Sequence, residues 1–291
     1  MKLRKSYALK KFKEEVGQAN HMLITILVGL DGIIAHDLEA NEDFHTSWNP
    51  KSKAESVRRS KNYAKKSTLA WVVDCIDMYL RIINREPSLI SDSSLKKEID
   101  DDTNSRSVYI RLTSLSKYLD INSIEYAMVD LLICWRNRLT HYQAKNNITT
   151  AHRNLLIENE ATIHKIYCGL NITETLDNFD KSCIPTFKEV TSLVRASLIL
   201  ITHIDETLVN KVNQVVYADK VLLYYFRENK TERLNNIFSK DSTIAEKSIR
   251  QILIQKGFSN IDISDVDKYC KKTATYTFKQ AQQMVDTGSF I

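Results

Sequence analysis

Apolar side chains recur at spacings of three and four through most of this chain, the period of helices that bury one face. A first helix is predicted from about Tyr7 to Leu30, with Leu9, Phe12, Val16, Leu23 and Leu27 on its apolar side. A polar stretch from Asp31 to Trp48 follows. Asn49-Pro50 then supplies a cap and a first-turn proline for a long helix to about Asn84, with Leu69, Val72, Val73, Ile76, Leu80 and Ile83 facing inward. Glu86 to Asn104 is rich in Ser, Asp and Lys and reads as a mobile loop with at most one short helix around Leu95. Val108, Leu112, Leu115 and Leu119 mark the next helix.

Asn122 or Ser123 offers an N-cap to the helix after that, in which Ile124, Met128, Leu131, Leu132, Trp135 and Leu139 form one core-facing stripe. At about 100° per residue, Tyr126, Asp130, Cys134, Asn137 and His141 form a second stripe nearly opposite, which is expected to point outward. After a turn at Lys145-Asn146-Asn147, Thr150 caps a helix carrying Leu155, Leu156, Ile163 and Ile166, which ends at Gly169. Thr186-x-x-Glu189 is a capping box for a long helix through Leu193, Leu198, Ile201 and Leu208. Thr243-x-x-Glu246 opens a shorter one that stops at Gly257, and Ser264-x-x-Asp267 starts the last. The expected organisation is all-α, a helical bundle over residues 1–169 followed by a second helical unit over 170–291.

Composition agrees. Only six Gly and three Pro occur in 291 residues, which argues against a loop-rich or all-β fold. The five cysteines, Cys75, Cys134, Cys168, Cys183 and Cys270, show no C-x-x-C pairing, so they read as reduced thiols of a cytoplasmic protein. No secretion signal is read at the start, and the most apolar run, Met22 to Leu30, is far short of a bilayer span of about 20 residues, so no membrane association is expected.

The chemistry concentrates in Arg136-Asn137-Arg138-Leu139-Thr140-His141. An arginine holds phosphate bidentately, an amide donates and accepts, and an imidazole moves protons near neutral pH. On one ideal helix Arg136 and His141 diverge by about 140°, so one copy makes an incomplete site. Two copies across a two-fold axis bring the Arg of one near the His of the other, which points to a homodimer with a shared groove.

Arg136-Asn137-x-x-x-His141, near the end of an amphipathic helix in a helical chain, resembles the signature of the HEPN superfamily of RNases and RNA-binding domains. The resemblance implies a compact HEPN-like bundle, dimerisation through the motif helices and, in active members, metal-independent endonucleolytic cleavage of RNA. It also implies a setting in toxin-antitoxin or anti-phage defence systems, with an antitoxin or companion protein as partner. Arg136, Asn137 and His141 carry over as the catalytic set. Two other readings stay open, a catalytically silent RNA-binding module and a helical dimerisation adaptor.

Around the hexad, Arg138 and Tyr142 are positional candidates for RNA contacts. A basic run at the start of the second helix, with Arg58, Arg59, Lys61 and Lys65 among seven cations against Glu55 alone, either tracks a phosphate backbone or is a solvated face. The segment Thr231–Lys256 has the outline of a helix-turn-helix in which Lys247 and Arg250 would face DNA, although ordinary packing explains such pairs more often. His21, His36, His45, His152 and His164 match no zinc spacing, so no metal or other cofactor is predicted.

Overall fold

The computed structural model describes every residue except 41, 42, 44, 46, 101–106, 142, 143, 230, 261–263 and 291. The chain is all-α, 75% helical, with fourteen helices among the described residues. In order they are α1 (Tyr7–Ala35), α2 (Lys53–Asn84), α3 (Ser93–Asp100), α4 (Val108–Leu119), α5 (Ile124–Thr140), α6 (Thr150–Glu158), α7 (Glu160–Ile166) and α8 (Ile172–Asp180). There follow α9 (Phe187–Lys211), α10 (Gln214–Glu228), α11 (Thr231–Phe238), α12 (Ser242–Gln255), α13 (Asp265–Ala274) and α14 (Phe278–Thr287). Two-residue strands β1 (Lys2–Leu3) and β2 (Phe258–Ser259) pair antiparallel, Lys2 opposite Ser259 and Leu3 opposite Phe258.

Several boundaries differ from the expected ones because side-chain caps set them. α1 runs through Asp31 to Ala35 and is by length and composition long and apolar enough to cross a membrane. α2 starts at Lys53 rather than at Asn49-Pro50, where Ser52 Oγ accepts the Glu55 N–H at 3.3 Å. Thr149, not Thr150, caps α6, and what reads as one helix is broken at Asn159 into α6 and α7. The Thr186–Glu189 box forms at the start of α9, with bonds of 2.6 and 3.2 Å. Asp241 rather than Thr243 caps α12. The Ser264–Asp267 box opens α13, but a further helix, α14, follows with its own Thr277–Gln280 box.

Two compact units emerge, and their boundaries do not fall at Gly169. The first collects residues 1–12, 78–120 and 202–291, the second residues 13–77 and 121–201. In the first unit Leu9, Phe12, Leu80, Leu112, Leu115 and Leu222 are buried, and Phe226, Phe238 and Phe290 form an aromatic cluster with centroids 5.7–6.2 Å apart. Asp205 is buried there, accepting from the Ser6 N–H at 2.9 Å, the Ser6 hydroxyl and the Tyr79 hydroxyl at 3.2 Å. Burial pushes its carboxyl up in spite of these donors. Gly257 sits at φ +107°, and a Cβ there would lie 2.2 Å from the Lys5 carbonyl oxygen, so the close approach beside β1 requires glycine.

The second unit is built on α5. All residues from Tyr126 to Trp135 are buried, so Tyr126, Asp130 and Cys134 of the stripe expected to face outward are covered, while Asn137 is half-buried and His141 exposed. The loop before α6 and α6 itself supply the cover: Thr149 N–H and His152 Nδ1 reach Asp130 Oδ2 at 3.4 and 2.7 Å, and the Tyr126 ring meets the His152 ring edge-on at 4.7 Å. A helix apolar or satisfied all round belongs in a core. On the other side Trp135 donates Nε1–H to the Cys183 carbonyl at 3.0 Å and packs edge-on against Phe179.

Candidate functional site

Apart from Ile124 and Glu125 at its start, α5 reaches the surface in its last turn, which carries the hexad. Residues 136–139 are half-buried, and Thr140 and His141 are exposed. Ser123 caps the other end, its hydroxyl accepting from the Tyr126 N–H at 3.2 Å. The buried body of the helix therefore fixes the direction from which Arg136 and Asn137 emerge.

His141 is not on the helix. It is the C-cap, with φ −108° and ψ 126°, and its N–H still bonds the Asn137 carbonyl at 3.0 Å. This extended step turns the imidazole back, so that Nε2 lies 3.3 Å from Arg136 Nη1 within one chain. The divergence of an ideal helix does not apply, and the geometric reason for completing an Arg–His pair across two copies falls. With the guanidinium as donor, Nε2 is the acceptor and Nδ1 carries the proton.

Arg136 is anchored loosely. Its side chain is 16% exposed, its Nη2 is 3.8 Å from Asp74 Oδ1 on α2, and its buried Nε has no hydrogen-bond partner among the described residues. Asp74 is itself 76% exposed, so the attraction is screened and the guanidinium keeps donors for an anion. The arrangement joins a cation with spare donors to an imidazole nitrogen with a lone pair, at an exposed helix end. That set can bind a phosphodiester and accept a proton beside it.

The other site candidates are placed differently. Arg138 turns its guanidinium away from the site, donating Nε–H to the Asn146 carbonyl at 2.7 Å, Nη1–H to the Phe179 carbonyl at 2.8 Å and Nη2–H to Asn147 Oδ1. The same group lies 3.9 Å above the Phe179 ring, so it clamps the loop after α5 onto α8. Tyr142 falls outside the described residues. Arg58 and Arg59 both bind Glu55 and hold its carboxyl down to about 2. Lys61 pairs with Asp31, Lys53 with Asp37 and Glu39, and burial lowers the Lys65 ammonium. Four of the seven cations of the basic run are thus paired, Arg58 and Arg59 by Glu55 within the run and Lys53 and Lys61 by acids from an earlier part of the chain. Arg250 is taken up by Glu246 and Asp267, which removes it from a DNA-facing role.

Sequence reasoning missed the His152–Asp130 pair, because the two residues lie on different helices and share no spacing rule. Cys134 Sγ is 3.5 Å from the same carboxylate, and burial pushes its thiol up to about 12, which makes it inert. Among the described residues no group of three His, Cys, Asp or Glu side chains converges on one point. No family model matches this chain, and neither a curated protein nor a solved structure matches it.

Proposed function

We propose that the chain is a metal-independent endoribonuclease of the HEPN type, acting in the cytoplasm as a toxin or anti-phage effector. The observation that carries this reading is the 3.3 Å approach of Arg136 Nη1 to His141 Nε2 at the exposed end of a buried helix. In the proposed step Arg136 Nη1 turns from His141 Nε2 to the phosphate, Nε2 takes the proton of a ribose 2′-hydroxyl on the lone pair so freed, and the 2′-oxygen attacks the adjacent phosphorus. The P–O5′ bond breaks, leaving a 2′,3′-cyclic phosphate and a 5′-hydroxyl. Arg136 carries the charge that grows on the non-bridging oxygens, and Asn137 orients the phosphate. The leaving 5′-oxygen needs a proton while the imidazole is still receiving one. A water molecule at the open site supplies that proton, and the imidazolium returns its own to the hydroxide so formed; the homodimer is proposed on the HEPN resemblance alone.

The test uses purified wild type, Arg136→Ala and His141→Ala with end-labelled RNA in EDTA, followed by mapping of the product ends. Wild type should yield cyclic-phosphate ends, each variant should lose about 10²–10⁴-fold in rate, and DNA should be spared for want of the 2′-hydroxyl. Equal cleavage of DNA, or undiminished activity in His141→Ala, would refute the mechanism. Salt-dependent RNA binding by all three proteins without cleavage would give the site to a silent RNA-binding module.

A further inference from the structure

Buried from Tyr126 to Trp135, α5 offers a partner little beyond its two ends. The second unit leaves a different face uncovered. Between α1 and α2 runs an open apolar groove of about 450 Å³, with Met22 and Ile26 on one wall and Tyr63, Ser67 and Trp71 on the other. Tyr63 is 74% exposed, Trp71 52%, Met22 57% and Ile26 47%.

The geometry points to this face as the homodimer interface, formed by antiparallel pairing of α2 with α2 of a second copy about a two-fold axis at Ser67. The inference rests on the homodimer of the preceding reading, not on its chemistry. Along α2 the seam, exposed at Tyr63, Ser67 and Asp74 and half-buried at Ser60 and Ala70, has the 3-4-3-4 spacing suited to helix packing, with small residues at its centre. An antiparallel two-fold at Ser67 sets Tyr63 against Trp71 of the second copy. It also brings the seam's basic end, at Arg59, within one residue of the opposite Asp74. The patch is therefore complementary to itself in shape and in charge, as an isologous contact requires. Among the described residues Arg59 is held by a solvent-exposed pair with Glu55, a contact weak enough to exchange for another carboxylate.

The area is of the right size. At about 200 Å² for a full large side chain, the four residues above leave on the order of 450 Å² uncovered. That is more than half of the roughly 800 Å² each partner contributes to a standard interface. The face is also continuous with the candidate site, because Asp74 is the residue that touches Arg136. Pairing at Asp74 would link dimerisation to the freedom of the Arg136 guanidinium.

A lipid bilayer is the competing occupant, since α1 is apolar enough for one. Ion pairs from Asp31, Asp37 and Glu39 to Lys61 and Lys53 tie the distal end of α1, and the segment just beyond it, to the charged first half of α2. Those charges would have to follow α1 into hydrocarbon.

The test is sedimentation equilibrium of the full-length protein with a parallel thermal melt. Wild type should be a dimer at micromolar concentration, and Trp71→Asp should raise its dissociation constant about thirtyfold or more, the loss of one interface hot spot, with an unchanged melt. Arg59→Asp and Asp74→Arg should each weaken the dimer, and the double variant should regain it. With Cys168→Ser and Cys183→Ser as background, Ser67→Cys should give a covalent dimer on oxidation and Gln255→Cys should not. A monomeric wild type, whether or not it binds anionic phosphatidylserine vesicles, would overturn the inference. So would a dimer indifferent to Trp71→Asp and to the charge exchange. None of these readouts depends on RNA cleavage, so failure of the interface and failure of the nuclease reading are distinguishable.

Discussion

Replacing Arg138 by alanine separates a structural clamp from an RNA contact. The half-buried bond to the Phe179 carbonyl, at 2.8 Å, is charge-assisted and worth about 1.5 kcal/mol. The bonds to Asn146 and Asn147 are exposed and count for about 0.5 kcal/mol each after solvent screening. Stacking 3.9 Å over the Phe179 ring adds about 0.5–1 kcal/mol. Arg138→Ala should therefore cost the second unit about 3 kcal/mol, which for a unit of this size lowers its melting temperature by about 6–12 °C. Arg138→Lys keeps the charge but loses the planar fork, and should recover less than half of that loss. Differential scanning calorimetry reads the melt, and hydrogen exchange in the segment after α5 reads the local loosening. A variant that melts within about 1 °C of wild type yet loses RNA affinity would refute the clamp and return Arg138 to the binding surface.

Asp205→Ala should strand the Ser6 N–H and the Ser6 and Tyr79 hydroxyls in the core of the first unit, costing about 3 kcal/mol by urea denaturation, and a loss under about 1 kcal/mol would contradict this. Gly257→Ala meets both a positive φ and the Lys5 carbonyl, so a destabilisation of about 3 kcal/mol or misfolding of the β1–β2 contact is expected, read by the same denaturation. At Asp267 burial raises the carboxyl, but bonds from the N-terminal amine, the Ser264 N–H and Arg250 outweigh it and hold the group well below the usual carboxylate range. A folded value below the unfolded one gives stability that is present above about pH 4 and lost as pH falls toward the folded value. Asp267→Asn should therefore be less stable than wild type at neutral pH, with the gap narrowing steadily as pH falls below about 4, whereas a constant difference across an acid titration would reject the linkage.

Local signals were read from the sequence where short-range rules act. The capping boxes at Thr186–Glu189 and Ser264–Asp267, the short helix around Leu95 and the helical class of the whole chain follow from periodicity and from side chains bonding a backbone three residues away. The caps that differed, Ser52 and Asp241, lie within a few residues of the expected ones, where several capping residues compete for the same turn.

The sequence by itself determined that this protein is helical, where its motif helix lies and which three side chains make its candidate site. Only the tertiary structure decided how those side chains are placed. Burial of both faces of α5 depends on α6 and the loop before it, segments whose folding back no spacing rule encodes. The meeting of Arg136 with His141 depends on one residue leaving the helix, and ideal-helix arithmetic cannot register that step. The balance of the basic run depends on Asp31, Asp37 and Glu39, which fold next to it from an earlier part of the chain. Periodicity and caps are properties of neighbours along the chain, whereas covering, pairing and exposure are properties of neighbours in space.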